Sequence, residues 1–589
     1  MTFALPALIA VAAVASPPPP PALDGLDAFA AAELAAWKVP GAALAVVKDG
    51  QVVWAKGYGV RDRARGLPVT PRTLFAIASV TKSFTVAALA ALVTQGKLEW
   101  DRPVREYLPD FRLYDERAER HLTARDMVTH RSGLPRHDAA WYGSPASRRQ
   151  LYERLRYLEP SRDLREGYQY NNLMFMAAGY LAGQLAGGTW EDSVRALVFG
   201  PLGMARSNFS PAESQKSDDF ARPYERDDRD EVVDSTFRDF FEMGPAGTVN
   251  SSVEEMARYV IMHLGEGRFE GRQVVGEADV AEMQAPQMVM PTPLRWPELG
   301  HTAYGMGLFV TTYRGHKLVH HGGNIDGFSA LLSFMPQDEM GVVVLTNMNG
   351  SALPTVLSYQ VYDRLLGLAP VDWSARLRER EEKARAAETE ARQKGYTARR
   401  EGTRPAHPLE EYAGEYAHPG YGALVVGRGP GDDLTLTYNR FTSPLKHFHY
   451  DVFEVPPNKL DRLERTKVMF QTGWSGDVQG VAVPLETGVK DIVFTRVPDR
   501  ALRDDAFLAT LAGTYELGPN PVTVARRGPG VLTLTIPGQP TYELVPVKGT
   551  RFLLRGLSGF SVEFKKDDRG AVREMVFHQP EGTYVARRK

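Results

Sequence analysis

The 589-residue sequence contains no cysteine. That excludes disulfides, cysteine-ligated zinc, iron–sulfur clusters and a thiol nucleophile, so covalent catalysis would have to use an oxygen or nitrogen nucleophile. It also lacks a charge excess: Lys+Arg is 70 against Asp+Glu 72, a net charge of −2. The basic footprint that nucleic acid binding needs is therefore missing from the balance. No apolar run is long enough to span a bilayer. Residues 3–15 are apolar but short, end in Ala13-Val14-Ala15 and precede five prolines at 17–21. This reads as an export leader cleaved after Ala15, although no Lys or Arg precedes the apolar run, and it predicts a periplasmic or secreted protein. What is present is ordinary globular composition, 43% hydrophobic and 24% charged, with cores to bury in several domains.

Residues 23–37 are apolar at helical spacing, and residues 41–47 and 51–59 are strand-like. Asp49-Gly50 between them signals a two-residue hairpin turn. Strand signals return at 305–311, 317–320, 329–335 and 341–345, and a helical stretch at 353–366 closes the unit. The pattern predicts one antiparallel sheet assembled from both ends of a large domain, with a helical region inserted between. Residues 374–394 are almost wholly Arg, Glu, Lys, Ala and Gln, a solvated helical connector or a flexible one. Beyond it the sequence repeats. Tyr412-Ala413-Gly414-Glu415-Tyr416 recurs as Leu511-Ala512-Gly513-Thr514-Tyr515, Arg428-Gly429-Pro430-Gly431 as Arg527-Gly528-Pro529-Gly530, and Phe453 as Phe552, all at an offset of 99. Alternating apolar/Thr runs broken by Gly/Pro turns predict about eight short strands per copy, closed as a small antiparallel β-barrel. The expected organisation is a leader at 1–22, a main domain at 23–372, a charged helical linker at 373–404, and barrels at 405–500 and 501–589.

Three constellations carry chemistry. In Phe75-Ala76-Ile77-Ala78-Ser79-Val80-Thr81-Lys82, Ser79 opens a mostly apolar helix and Lys82 lies one turn on, on the same face. A serine needs a base to become a nucleophile, and a buried lysine of lowered pKa is one. In Gly167-Tyr168-Gln169-Tyr170-Asn171-Asn172, Tyr170 and Asn172 enter a second helix, where a phenol can relay protons, an Asn amide can hold a substrate carbonyl, and Asn171 or Asn172 can cap the helix. In His320-His321-Gly322-Gly323-Asn324, two glycines at a strand end let a ligand lie along the strand edge. There the Asn324 N–H could join that of Ser79 as an oxyanion hole. A metal reading of His320 and His321 is weak, because neighbours on a strand point to opposite faces.

These elements, in this order, resemble the Ser-x-x-Lys, Tyr-x-Asn and Lys-Thr-Gly-type motifs of the serine β-lactamase and penicillin-binding-protein superfamily, particularly the class C-like serine hydrolases. Thr129-His130-Arg131-Ser132-Gly133-Leu134 and Pro201-Leu202-Gly203-Met204 are supporting stretches. The resemblance covers about residues 24–367. It implies an α+β fold, an antiparallel sheet sandwiched with helices plus a helical lobe, β-lactamase/transpeptidase-like, followed by the two small barrels. It further implies Ser79 as acylated nucleophile, Lys82 as base, Tyr170 as partner in proton transfer, and Asn172, His321, Gly322 and Gly323 at the substrate. His321 stands where penicillin-recognising sites usually have lysine, and is more similar to the esterase and aminopeptidase branch. Two barrels after such a domain resemble the bacterial D-aminopeptidases. The implied function is a cofactor-free, metal-free serine hydrolase of small amides or short peptides, D-configured if that analogy holds. Carboxylesterase is the second reading, β-lactamase or DD-carboxypeptidase comes after it, and a penicillin-binding receptor is the non-enzymatic alternative.

Overall fold

The computed structural model describes residues 20–291, 293–394, 398–431, 433–457, 463–474 and 476–589. The leader expected at 1–22 lies outside them up to residue 19. The chain divides into two compact units. One runs to Ala398 and includes Glu486–Val489; the other comprises Arg399–Leu485 and Lys490–Lys589.

In the first unit, β1 (Gly41–Lys48) and β2 (Gln51–Asp62) form the hairpin announced by Asp49-Gly50. Both turn residues have positive φ, 51° and 73°, as the turn matching strand twist requires. With β3 (Leu67–Pro68), β4 (Met288–Val289), β5 (Ala303–Tyr304), β6 (Phe309–Tyr313), β7 (His316–Ile325), β8 (Phe328–Met335) and β9 (Met340–Thr346), they build a sheet of order β4-β5-β6-β7-β8-β9-β1-β2-β3. The two ends of the unit meet where β1 pairs antiparallel with β9, from Ala42↔Thr346 to Lys48↔Met340. Successive side chains of a strand face opposite ways, and β1 is buried at nearly every position, so both its faces are covered. Ala42, Leu44 and Val46 join a cluster with helix α1 (Leu26–Ala36) and the later helix at Leu353–Leu365. The helix Val253–Leu264 packs against β9 and β1. Each Val or Leu so buried contributes roughly 1.5–3 kcal/mol.

The strand expected to end at His320 runs on through both glycines to Ile325. It keeps β8 as partner from His321↔Leu332 to Ile325↔Phe328. Its pairing with β6 stops at Phe309↔His320, so β6 does not cover the other edge of residues 321–325.

The charged stretch forms a helix, Trp373–Lys394. Trp373 is buried at its start, the Trp37 indole donates to Ser374 Oγ at 3.1 Å, and Arg385 pairs with Asp230 at 2.8 Å. Among the described residues no helix is long and apolar enough to cross a membrane.

The second unit is two closed eight-stranded antiparallel barrels, from Gly414–His418 to Ile492–Arg496 and from Gly513–Leu517 to Gly582–Arg588. Leu434, Leu436, Tyr438 and Phe470 are among the buried side chains of the first, and Leu532, Leu534, Phe552 and Phe564 of the second.

Candidate active site

Ser79 lies in a 3-10 turn, Ala78–Val80, which continues into helix α2 (Thr81–Thr94). Ala78 just before it has φ 48°, a left-handed conformation that costs an L-residue roughly 1–2 kcal/mol and is held by its surroundings. Ile77 N–H donates to the Val249 carbonyl at 2.9 Å, and Thr81 Oγ1 accepts from Val249 N–H at 3.0 Å. Thr85 Oγ1 donates to the Pro245 carbonyl at 2.7 Å. Segment 244–250 thus fixes the start of α2.

Lys82 is fully buried. Its Nζ lies 3.0 Å from Ser79 Oγ and donates to the Ala246 carbonyl at 2.7 Å. Among the described residues no carboxylate is within salt-bridge reach of it. Burial first, and the nearby Arg136 guanidinium second, hold its pKa well below the usual lysine value, so the amine is poised to be neutral and to accept a proton. The Tyr170 hydroxyl donates to Ser79 Oγ at 2.8 Å, and the Lys82 Nζ sits 4.8 Å from the Tyr170 ring centroid. Burial raises the Tyr170 pKa above the ordinary phenol value. The lowered amine and the raised phenol make Lys82, more readily than Tyr170, the group able to take the serine proton.

Helix α3 (Asn172–Ala186) follows Tyr170. Asn171, not Asn172, caps it, its Oδ1 accepting from Met174 N–H at 2.7 Å. Asn172 Nδ2 donates to Asp138 Oδ1 at 3.2 Å. Asp138 also receives the Trp141 indole N–H at 2.9 Å and pairs with Arg136 at 2.7 Å. The Arg136 guanidinium in turn stands 5.1 Å from the Tyr170 ring centroid. Asn172 therefore belongs to a polar group flanking Tyr170.

Of the two glycines in β7, only the second is demanded by space. A Cβ on Gly323 would lie 2.1 Å from the Ile77 carbonyl oxygen, whereas one on Gly322 would meet only the Ala330 oxygen at 3.8 Å. Gly323 lets the strand edge press against the turn that carries Ser79. Asn324 is exposed, and its Oδ1 accepts from Ser329 Oγ at 2.7 Å. His321 is buried, with Nδ1 2.6 Å from the Gly322 carbonyl and Nε2 3.1 Å from the Tyr304 hydroxyl. A carbonyl only accepts, so Nδ1 carries the proton and Nε2 accepts from Tyr304. Burial, with Lys82 nearby, drops the His321 pKa to about 3. The ring is neutral and both its nitrogens are engaged, so it supplies no cation where penicillin-recognising relatives usually have lysine.

Several site groups carry no signal in the motifs. The Ala246 carbonyl is a main-chain atom 164 residues from Lys82. Tyr304 and Asp138 each lie in a separate segment and meet the site only through folding.

Comparisons with known proteins identify the family and the fold. Residues 26–366, more than half of the chain, match the Beta-lactamase family, and residues 398–496 match a domain of unknown function, DUF3471. "Unguisins hydrolase ungD'" of Aspergillus campestris is 32% identical over 417 residues, which cover 66% of this chain and 75% of that protein. "Protein flp" of Staphylococcus aureus is 24% identical over 325 residues, 54% of this chain and 62% of that one. In fold, an octameric penicillin-binding protein homologue from Pyrococcus abyssi aligns over 80% of this chain and 100% of its own, with TM-score 0.53 and 24% identity. The chain belongs to the Beta-lactamase family, the serine hydrolases of the β-lactamase fold, and bears two eight-stranded barrels after the family domain.

Proposed function

We propose that the protein hydrolyses small amide or short peptide substrates through an acyl-enzyme on Ser79, with a preference for D-configured residues. The observation that carries this reading is the placement of Ser79 Oγ between Lys82 Nζ at 3.0 Å and the Tyr170 hydroxyl at 2.8 Å, with the lysine buried and, among the described residues, in no salt bridge with a carboxylate. Lys82 takes the serine proton as Oγ attacks the carbonyl carbon. The N–H groups of Ser79 and Asn324 face the developing oxyanion. As the intermediate collapses, the proton returns through Tyr170 to the departing nitrogen. Water then attacks the acyl-enzyme, giving up its proton to the same pair, and Ser79 is released. The relative named as a hydrolase of unguisins supports hydrolysis, and the two barrels support the D-aminopeptidase analogy.

The neutral, fully engaged His321 favours substrates without a carboxylate beside the scissile bond. That argues against β-lactam and DD-carboxypeptidase chemistry and keeps carboxylesterase as the second reading. A panel of D- and L-amino acid amides, p-nitrophenyl esters and nitrocefin separates these readings. With an activated ester, a pre-steady-state burst stoichiometric with enzyme is expected, together with a mass adduct on Ser79. Full hydrolysis by Ser79→Ala would falsify the assignment, and turnover of esters alone would move it to esterase.

A further inference from the structure

His130 lies outside the three motifs, yet the structure wraps it around one of them. Its carbonyl accepts from Gln169 N–H at 2.8 Å, and its Nδ1 accepts from Asn171 N–H at 3.0 Å. These are the amides of the two residues that flank Tyr170. Between them, the His130 ring lies against the Tyr170 ring, with centroids 4.3 Å apart. Phe175, Tyr304 and Tyr168 close around the same imidazole at 5.0, 4.6 and 5.6 Å. His130 is fully buried, has φ 57°, and its Nε2 finds no hydrogen-bond partner among the described residues.

An unpartnered buried ring nitrogen and a left-handed, non-glycine backbone are both costly, so the position satisfies a demand other than its own packing. The backbone that carries it is anchored independently. Asp126, buried in the capping box that opens Ala124–Val128, receives Arg131 Nε at 2.5 Å and Arg165 Nη2 at 2.8 Å. Arg165 N–H donates to the Arg131 carbonyl at 2.7 Å. The segment around His130 is thereby tied to the segment leading into Tyr170 before His130 makes its own contacts.

We propose that His130 is the positioning residue for Tyr170: its carbonyl and Nδ1 hold the two amides flanking Tyr170, and its ring backs the phenol, keeping the hydroxyl within reach of Ser79. Because Asn171 N–H only donates, the neutral ring carries its proton on Nε2. A doubly protonated ring would release that amide. The inference rests on the proposed role of Tyr170 in proton transfer and extends it to a residue that never touches the substrate.

The test is a double-mutant cycle on turnover of an activated ester by the full chain. His130→Phe keeps a ring but removes the acceptor. It is expected to lower kcat about 100-fold, the scale of a misplaced catalytic group, with KM little changed. In the Tyr170→Phe background it is expected to cost nothing further, since there is no hydroxyl left to position. Full additivity of the two losses, or a wild-type kcat for His130→Phe, overturns the proposal while leaving Tyr170's role intact. A wild-type kcat for Tyr170→Phe alone overturns both. Should His130→Phe not fold, His130→Asn takes its place. It offers an amide oxygen near the Nδ1 position and belongs to the residue types that tolerate left-handed φ. It is expected to keep kcat within about tenfold of wild type, and a loss beyond 100-fold at an unchanged melting temperature overturns the role of the acceptor.

Discussion

A lysine buried with no carboxylate in salt-bridge reach among the described residues gives up hydration that the Ala246 carbonyl and Ser79 Oγ replace only in part, and the molecule accepts that cost at Lys82. The consequence is an amine that gives up its proton more readily than an ordinary lysine. Lys82 is active when deprotonated, and its pKa is held well below 10.5 by burial and by Arg136. Acylation is therefore expected to rise with pH along an acid limb whose apparent pKa lies well below the ordinary lysine range, measured as kcat/KM on a neutral ester. Lys82→Arg, which keeps a cation but cannot deprotonate, is expected to lower kcat/KM about 100- to 10,000-fold, the range lost with a general base, and to leave no acid limb. A variant that retained most of its activity would sink Lys82 as the base. The juxtaposition of Ser79 and Lys82 was legible because three residues of helix bring them together whatever the rest of the chain does. The Ala246 carbonyl that holds the amine was not, because a main-chain acceptor brought in by the fold has no side-chain signature.

At the scale of elements, the least legible feature was the length of β7. Consecutive glycines read as a strand end, since each weakens a strand and removes a side chain to pack. The strand nevertheless continues, because β8 pairs with it throughout and because the Ile77 carbonyl occupies the space a Cβ at Gly323 would need. Gly323→Ala must push the strand edge away from the turn carrying Ser79. It is expected to slow Ser79 labelling by a fluorophosphonate about 100-fold, as a displacement of about 1 Å would. Gly322→Ala, with only ordinary contact to the Ala330 oxygen, is expected to melt as the wild type does. Equal labelling rates for wild type and Gly323→Ala would show that the close approach does not set the site. The hairpin at Asp49-Gly50 was legible for the opposite reason, since its geometry is dictated by two adjacent residues.

For the whole molecule, the internal repeat proved to be the trace of a closure device. In each barrel a glycine opens the first strand, a tyrosine two residues on donates back to a main-chain carbonyl, and an arginine on the last strand clasps the corner. Tyr416 donates to the Tyr412 carbonyl at 2.8 Å and Tyr515 to that of Leu511 at 2.7 Å. Arg496 donates to the Ala413 carbonyl at 2.5 Å and Arg588 to that of Ala512 at 2.6 Å. These pairs stand where first and last strands meet, Tyr416↔Arg496 and Tyr515↔Arg588. The repeated Gly and Tyr were visible at a fixed offset. The arginines were not, because the spacing between first and last strands differs between the copies.

Acid sensitivity follows from the first unit's buried histidines. His130, His263 and His321 are each nearly inaccessible to solvent. Burial holds His130 well below the usual imidazole value and drops His263 and His321 to about 3. Unfolded, each titrates near 6.5, so below that pH the unfolded chain binds protons the folded chain refuses. Stability is therefore lost as pH falls from about 6.5, by about 1.4 kcal/mol per pH unit for each histidine. The carboxylates held low, Asp126 and Asp230 among them, are almost wholly ionised in both states above about pH 5.5 and add little to the slope there; their own contribution is lost at lower pH. His263 is the cleanest probe. It sits on Val253–Leu264, stacked on Phe334 at 5.0 Å, and neither ring nitrogen has a partner among the described residues. His263→Leu removes both unpaired nitrogens, and is expected to raise stability at pH 7 by about 1 kcal/mol or more. Urea unfolding between pH 7 and pH 5 should then show a shallower loss than wild type by one histidine's share. An unchanged slope in the variant would mean that His263 takes up its proton in the folded state, and that the pH dependence arises elsewhere.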